Sequence, residues 1–180
     1  MRVITGTARG RRLREPDNYD IRPTTDQVKE AIFNICQFDI EGRRVLDLFG
    51  GTGQLGIEAA SRGAAAVDII DCSRDSIALI KQNVKTTELD CRVVQSDAIS
   101  YLASCGKYDL VFIDPPYDSD LVEKALENIK RFDILSDGGI IICETRREKP
   151  MPAMEKPYAK RREYTYGKVK LTSYIKENEV

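Results

Sequence analysis

The segment that decides the fold is Arg44-Val-Leu-Asp-Leu-Phe-Gly-Gly-Thr-Gly53, together with Gln54-Leu-Gly-Ile-Glu-Ala-Ala-Ser61 after it. Apolar residues dominate the stretch 44–48, which predicts a buried strand. The glycines that follow allow a sharp turn, and the pattern over 54–61 predicts a helix. A strand, a glycine-rich turn and a helix in this order are typical of the parallel sheet of an α/β protein.

The same alternation of strands and helices continues on both sides of this segment. Further strands are predicted over 66–71, 92–95, 110–114 and 140–144, and helices over 25–37, 75–86, 98–104 and 121–131. An antiparallel pair is predicted at the end of the chain (160–166 and 168–176), and a small hairpin at its start (3–5 with 12–14). We therefore predict a Rossmann-like α/β fold, with a mostly parallel seven-stranded sheet, helices on both faces, an antiparallel C-terminal strand pair and an N-terminal β-hairpin extension.

Length and composition limit the class of protein. The 180 residues suffice for one domain, 1–180, in which 1–20 would form the hairpin and 21–180 the core. No run approaches the ~18 apolar residues of a membrane span, and the start lacks the apolar run of a signal peptide. Five scattered cysteines and the absence of histidine argue against a disulfide framework, a zinc site and an imidazole base. We expect a cytoplasmic monomer that binds no metal and no membrane.

The charges are distributed unevenly along the chain. Residues 1–14 carry five arginines and no acidic residue, and residues 146–176 carry ten basic residues against three acidic ones, although the net charge is only -1. If the two basic ends meet on one face, they provide an electrostatic footprint for the phosphates of a nucleic acid. Basic ends that are merely solvated explain the same pattern, so both interpretations stay open here.

Three aspartates lie at or just after the ends of successive predicted strands around the glycine turn: Asp47, Asp71 and Asp97. The glycines at 51, 53 and 56 also satisfy G-x-G-x-x-G, so an NAD enzyme is the first alternative. A carboxylate at Asp47 would repel a pyrophosphate at the helix N-terminus, but it favours the ammonium and sulfonium groups of S-adenosylmethionine. Asp71 suits a ribose diol, and Asp97 suits an adenine amino group. Each aspartate alone is also an ordinary cap or strand end, but the three together favour S-adenosylmethionine.

The segment Asp114-Pro-Pro-Tyr117 follows the apolar strand that ends at Ile113. Two prolines stop the strand and fix the backbone, so the Asp114 side chain and the Pro115 carbonyl offer two acceptors from a rigid turn. Two acceptors suit the amino group of a nucleobase, whose lone pair is delocalised into the ring until its hydrogens are engaged. The ring of Tyr117 can stack on such a base. A plain strand-ending turn is the alternative interpretation.

These motifs resemble those of a known family. Asp114-Pro-Pro-Tyr117 matches the [DNS]-P-P-[YFW] motif of class I methyltransferases that act on amino groups. Nearly the whole chain resembles the RsmD family of bacterial small-subunit rRNA guanine-N2 methyltransferases. The most specific part of this resemblance is Arg22-Pro-Thr-Thr-Asp26 with Glu30-Ala-Ile-Phe-Asn34. The chain departs from that pattern at Gly50 and Gln54, where the family usually has alanine or another small residue.

The resemblance implies a class I methyltransferase fold and a role for each matching position. S-adenosylmethionine would be the cofactor and S-adenosylhomocysteine its product, and the cofactor would be held by Thr24, Asp47, Phe49, Gly51, Gly53, Asp71, Asp97 and Ala98. The target base would be held by Asp114, Pro115 and Tyr117, and the RNA by Arg9, Arg11, Arg12 and Arg22. The substrate would be N2 of one guanine in 16S rRNA, within the small ribosomal subunit or its assembly intermediate, where ribosomal proteins are possible partners.

Two alternatives to this function stay open. An adenine-N6 methyltransferase of DNA or RNA shares the Asp-Pro-Pro-Tyr motif, although a chain this short has no separate part with which to read a duplex. An inactive RNA-binding assembly factor would keep the fold, but binding alone does not require the Asp114 turn.

Overall fold

A computed structural model describes residues 1–17 and 24–178, so Arg22, one of the predicted RNA contacts, lies outside the described residues. The helices are α1 (Asp26–Ile35), α2 (Gln54–Ser61), α3 (Arg74–Thr87), α4 (Ala98–Leu102) and α5 (Leu121–Arg131). The strands are β1 (Arg44–Asp47), β2 (Ala66–Asp71), β3 (Arg92–Gln95), β4 (Tyr108–Ile113), β5 (Leu135–Arg146), β6 (Tyr158–Tyr166) and β7 (Val169–Lys176).

The seven strands form one sheet in the order β3-β2-β1-β4-β5-β7-β6. Strands β1 to β5 are parallel, whereas β7 runs antiparallel to both of its neighbours, β5 and β6. From β1 the chain winds outward through β2 to β3 and then returns to β4 on the other side of β1. The order of the strands thus reverses between β1 and β4, the position at which α/β sheets bind ligands. The predicted seven-stranded, mostly parallel sheet is confirmed.

Helices cover both faces of the sheet because its strands are apolar on both sides. Val45 of β1 belongs to the hydrophobic cluster that contains α1, α2 and α3, and its neighbour Leu46 belongs to the cluster that contains α4 and α5. Such alternation along one strand is the consequence of its two-residue period. In α5 the predicted apolar stripe is buried: Val122, Ala125, Leu126 and Ile129. Among the helices of the described residues, none is long and apolar enough to cross a membrane.

Strand β5 starts earlier than the sequence predicts. The strand was predicted to begin at residue 140, because Asp137-Gly-Gly139 is a sequence typical of a turn. In the structure these three residues lie inside the strand, where the pairing with β4 shifts between Tyr108 and Leu110. Gly138 has a φ of +73° there, and a Cβ on Gly139 would lie 2.7 Å from Leu135 Cγ. The glycines therefore let the backbone bulge without leaving the sheet.

The N-terminal hairpin is held by an antiparallel bridge between Arg2 and Arg12 and by the hydrogen bond from the Val3 N–H to the Arg11 carbonyl at 3.0 Å, so its pairing begins earlier in each arm than the predicted 3–5 with 12–14. It is attached to α2 by the buried carboxylate of Glu58, which accepts hydrogen bonds from the backbone N–H groups of Ile4 (2.8 Å) and Thr5 (2.9 Å). The backbone N–H of Thr7 donates to the carbonyl of Ser61, the last residue of α2, at 2.8 Å. These bonds fix the tip of the hairpin at the C-terminal end of α2.

Candidate active site

A cleft of about 580 Å³ opens at the carboxyl ends of β1 to β5, where the strand order reverses. Of the predicted cofactor and base-binding residues, the cleft is lined by Thr24, Asp47, Phe49, Gly51, Asp71, Asp97, Ala98, Asp114, Pro115 and Tyr117. Its size suits a ligand of nucleoside dimensions. The fold thus brings together in one cavity residues that the sequence separates widely.

The glycine turn after β1 forms the floor of this cleft. The Gly50 N–H donates to the Ile70 carbonyl at 2.6 Å, and a Cβ at Gly50 would lie 2.6 Å from Ile69 Cγ2. An alanine at position 50 would therefore require the side chains of Ile69 and Ile80 beneath the turn to shift. Gly53, at φ +81°, is the N-cap of α2 and is not among the residues that line the cleft, unlike the predicted role.

Asp47 is a buried carboxyl at the end of β1. It is 1% exposed and accepts a hydrogen bond from the Gly56 N–H at 3.0 Å. Its pKa is raised to about 7, mainly because a charged carboxylate loses its hydration on burial and also because of nearby Asp71, while the hydrogen bond from the Gly56 N–H opposes the shift. A cationic ligand in the cleft would compensate the charge of Asp47.

Gln54, at the start of α2, is a residue of the cleft to which the sequence analysis gave no role beyond a departure from the family pattern. It is buried and lines the cleft, and its Nε2 donates to the Thr24 carbonyl at 3.2 Å. Its Oε1 accepts no hydrogen bond from any of the described residues. A buried acceptor without a donor costs free energy, so this oxygen favours a ligand that carries N–H groups.

Asp71 and Asp97 organise the backbone on the β2 and β3 side of the cleft. Asp71 accepts hydrogen bonds from the N–H of Gly51 (2.9 Å) and of Ser73 (2.8 Å), and so holds the glycine turn against β2. Asp97 caps α4 through the Ser100 N–H, at 2.8 Å. The cap role anticipated for isolated aspartates is real, but each carboxylate also borders the cleft and keeps lone pairs for a ligand.

The Asp114-Pro-Pro-Tyr117 turn meets a second carboxylate, that of Glu144, near the end of β5. The hydroxyl of Thr24 lies 3.2 Å from Asp114 Oδ2 and 3.3 Å from Glu144 Oε2. The hydroxyl of Tyr117 donates to Glu144 Oε1 at 2.9 Å, and the Arg146 guanidinium carbon lies 5.5 Å from the centre of the tyrosine ring. Burial, the charge of Glu144 and that of Asp47 raise the pKa of Asp114 well above its usual value, and the hydrogen bond from Thr24 opposes them.

Glu144 was not predicted as a site residue, although a signal was present. Like Asp47, Asp71 and Asp114, it is an acidic residue at the end of an apolar run. In the structure it is 5% exposed and lines the cleft. The cleft therefore contains a pair of neighbouring carboxylates, where the sequence indicated only Asp114.

The predicted RNA-binding arginines of the hairpin do not line the cleft. Arg11 donates to the Thr86 carbonyl at 2.8 Å and pairs with Glu88 at 2.9 Å, both at the C-terminal end of α3. Ser76, near the other end of α3, lines the cleft. The separation of ten positions from Ser76 to Thr86 corresponds to about 15 Å of helix. Arg9 and Arg12 are exposed on the same hairpin.

The polar groups that line the cleft indicate a ligand with several N–H and O–H groups and a positive charge. Acceptors predominate: carboxylates end four neighbouring strands, and Gln54 adds an orphan amide oxygen. Within residues 1–17 and 24–178, no three acidic, cysteine or histidine side chains cluster closely enough to bind a metal. What the arrangement can do chemically is to accept hydrogen bonds from an amine and to favour a cation beside it.

Comparison with known proteins relates this site to a family. Residues 1–175 match the model of the family described as Conserved hypothetical protein 95. The Ribosomal RNA small subunit methyltransferase D of Escherichia coli strain K12 is 36% identical over 98% of this chain and 90% of its own length. YlbH of Bacillus subtilis strain 168 is 37% identical over 98% of this chain and 99% of its own. The solved structure of yhhF from Escherichia coli, 35% identical, covers 99% of both chains with a TM-score of 0.89.

Proposed function

Since the chain belongs to the RsmD family, the family described as Conserved hypothetical protein 95, we propose that it is an rRNA methyltransferase. The cofactor we propose is S-adenosylmethionine, and the acceptor is the exocyclic N2 of one guanine in 16S rRNA of the small ribosomal subunit or its assembly intermediate. The observation that carries this proposal is the Asp114-Pro-Pro-Tyr117 turn, which faces the same cleft as Asp47, Asp71 and Asp97. We propose that it acts as a monomer in the cytoplasm. Its five cysteines are free thiols, which suits a reducing compartment.

The residues of the cleft fit S-adenosylmethionine. Asp47 and the unpaired Oε1 of Gln54 lie where the ammonium and sulfonium groups of its methionine part would find compensation. Phe49, Gly51 and the Thr24 backbone would border that part. Asp71 would accept the ribose hydroxyls, and Asp97 with Ala98 would hold the adenine. When bound, the cofactor supplies an electrophilic methyl group.

The residues around Asp114 would activate the amine of the base. Asp114 and the Pro115 carbonyl would each accept one N–H of the amino group, which draws its nitrogen toward a tetrahedral geometry with an available lone pair. Tyr117 would stack on the base, its ring held by the bond to Glu144. Placing the amine in line with the methyl group then provides most of the acceleration, and no covalent bond to the protein is needed. The proton can leave to solvent after transfer, so no histidine is required.

The test of this function is transfer of a radiolabelled methyl group from S-adenosylmethionine. The acceptors are small ribosomal subunits from cells that lack this protein, free 16S rRNA and duplex DNA, and each product is digested to nucleosides. We expect label in N2-methylguanosine from subunits or their RNA. Label in N6-methyladenine would instead identify an adenine methyltransferase, and the absence of transfer with intact RNA binding would identify an assembly factor.

Asp114→Ala is the matched variant for this assay. It removes the acceptor for the amine but leaves the hairpin arginines Arg9, Arg11 and Arg12 unchanged. We therefore expect methyl transfer to be abolished and RNA binding to stay close to that of the wild type. Transfer near the wild-type rate would remove Asp114 from the mechanism.

A further inference from the structure

Glu144 is a buried acidic residue of the cleft. In the mechanism proposed above it holds Tyr117 but does not contact the base. It lines the cleft beside the Asp114 turn, and both carboxylates lie within 3.3 Å of the one hydroxyl of Thr24. Residues 113 and 143 are partners in the pairing of β4 with β5, so Asp114 and Glu144 follow paired positions on adjacent strands. The two acids therefore present their acceptors side by side.

The hydrogen bonds of Glu144 restrict where its carboxylate can lie. Its Oε1 accepts from Tyr117 at 2.9 Å, and its Oε2 lies 3.3 Å from the Thr24 hydroxyl. The two oxygens of a carboxylate together have about four lone-pair sites, so Glu144 can accept a hydrogen bond from a ligand in addition to its partners within the protein. The carboxylate is thus pre-oriented at the edge of the surface on which the target base would stack.

The number of acceptors at this position matches guanine better than other purines. The edge of guanine that carries N2 presents three N–H groups, two on N2 and one on N1, whereas adenine presents two on N6 and an acceptor at N1. Asp114 and the Pro115 carbonyl account for the two hydrogens of the amine. Glu144 supplies a third acceptor, which would face a hydrogen in guanine and a lone pair in adenine.

We propose, on the basis of the proposed function, that Glu144 accepts a hydrogen bond from N1–H of the target guanine and so determines the choice of base. Asp114 with Pro115 recognises an exocyclic amine of any base, and Glu144 distinguishes the ring nitrogen beside it. A purine with an acceptor at N1 is rejected because its lone pair would then face the lone pairs of Glu144, a buried carboxylate, with no hydrogen between them.

The test uses 2-aminopurine, which keeps the exocyclic N2 amine of guanine but has an unprotonated N1. The RNA that the wild-type protein methylates is rebuilt by ligation with guanine or 2-aminopurine at the accepted position, and kcat/KM is measured for each. For the wild type we expect 2-aminopurine to be worse by roughly 10- to 100-fold, the usual effect of losing a hydrogen bond to a charged group. Equal methylation of both bases would overturn the inference without any variant being needed.

Glu144→Gln provides the second measurement. Glutamine has the same shape, and its amide N–H can donate to the bare N1 of 2-aminopurine. The ratio of kcat/KM for guanine to that for 2-aminopurine should therefore fall at least about 10-fold in the variant. Glu127→Gln, the same change at an exposed position of α5, should keep the wild-type ratio.

The ratio separates base recognition from a structural role of Glu144. If Glu144 only held the Tyr117 ring, both bases would lose activity equally in Glu144→Gln and the ratio would not change, which overturns the inference. Methylation of guanine at N2 with an unchanged ratio would leave the proposed function intact. Failure of the wild type to form N2-methylguanosine in any RNA would overturn the proposed function and this inference together.

Discussion

The hydroxyl of Tyr117 lies 2.9 Å from Oε1 of Glu144, so the tyrosine that follows the two prolines is fixed by the strand next to its own. The ring cannot rotate away from the cleft without breaking a charge-assisted hydrogen bond. Tyr117 thus has two separable functions, a flat surface for a base and a hydrogen bond that orients this surface.

Replacing Tyr117 separates these functions. Tyr117→Phe keeps the ring and loses the bond to Glu144, so we expect a loss in kcat/KM of about 10-fold, the lower end of the effect of losing a hydrogen bond to a charged group. Tyr117→Ala also loses the stacking surface, which is worth ~1–3 kcal/mol per base, and should reduce kcat/KM by a further 10-fold or more. Steady-state methyl transfer on rRNA measures both. Equal losses in the two variants would contradict a stacking role.

The pH dependence of methyl transfer should report the ionisation of Asp114. The ionised carboxylate is a much stronger acceptor for the amine than the protonated carboxyl group, and its pKa is raised in the folded protein by burial and by Glu144. Activity should therefore be fully present at high pH and be lost as the pH falls through this raised pKa, above the range of an ordinary aspartate. Asp114→Asn has no such titration, so its lower rate should change little with pH. A wild-type profile that is flat down to the usual aspartate range would contradict this assignment.

Asp47→Asn should weaken the binding of S-adenosylmethionine and increase the free energy of unfolding of the cofactor-free protein near neutral pH. The pKa of Asp47 is about 7 in the folded protein, above the value of an unfolded aspartate, so the free energy of unfolding declines as the pH rises toward 7. Without cofactor, the asparagine variant should lose less stability between pH ~5 and ~8, by an amount of the order of a few kcal/mol. Thermal melts at both pH values measure this difference. The same variant should bind S-adenosylmethionine at least about 10-fold more weakly, since a buried charge opposite the cation is lost.

Gln54→Ala, which introduces the small residue usual in the family, tests the orphan amide oxygen. We expect the affinity for S-adenosylmethionine to fall by about 10-fold, because an acceptor for its ammonium group is lost. Titration calorimetry measures this change. The control ligand is 5′-methylthioadenosine, which lacks the amino acid part and should bind the variant and the wild type equally. Equal losses for the two ligands would assign Gln54 to the support of Thr24 instead.

The hairpin arginines should affect RNA binding but not turnover. With Arg9, Arg11 and Arg12 replaced by alanine, the affinity for the RNA substrate should fall and its salt dependence should flatten, because fewer counterions are released. Since the bonds of Arg11 lie at the far end of α3 from the cleft, KM should rise while kcat stays unchanged. The lost pair with Glu88 is exposed and should cost at most ~1 kcal/mol of stability. An unchanged salt slope would remove the hairpin from the RNA interface.

Local patterns were sufficient to predict most of the fold. The bounds of α2, β2, β3 and α5 agree with those expected from apolar periodicity and turn residues, because each of these elements buries a face that its own residues define. The start of β5 was predicted too late, since Gly138 and Gly139 resemble a turn in sequence and the pairing with β4 holds them in the sheet. Pairing with a distant strand is not encoded in the local pattern.

The sequence by itself determined the α/β architecture and the residue types that end the strands, including Asp47, Asp71 and Asp114. Only the tertiary structure decided which of these residues meet. Thr24 contacts Glu144 across 120 residues of chain, and Gln54 reaches the carbonyl of Thr24 across 30. The physical reason is that parallel strands place their carboxyl ends together, whatever their separation in the sequence. A local pattern specifies the end of each strand, whereas the order of the strands in the sheet determines the neighbours of each end.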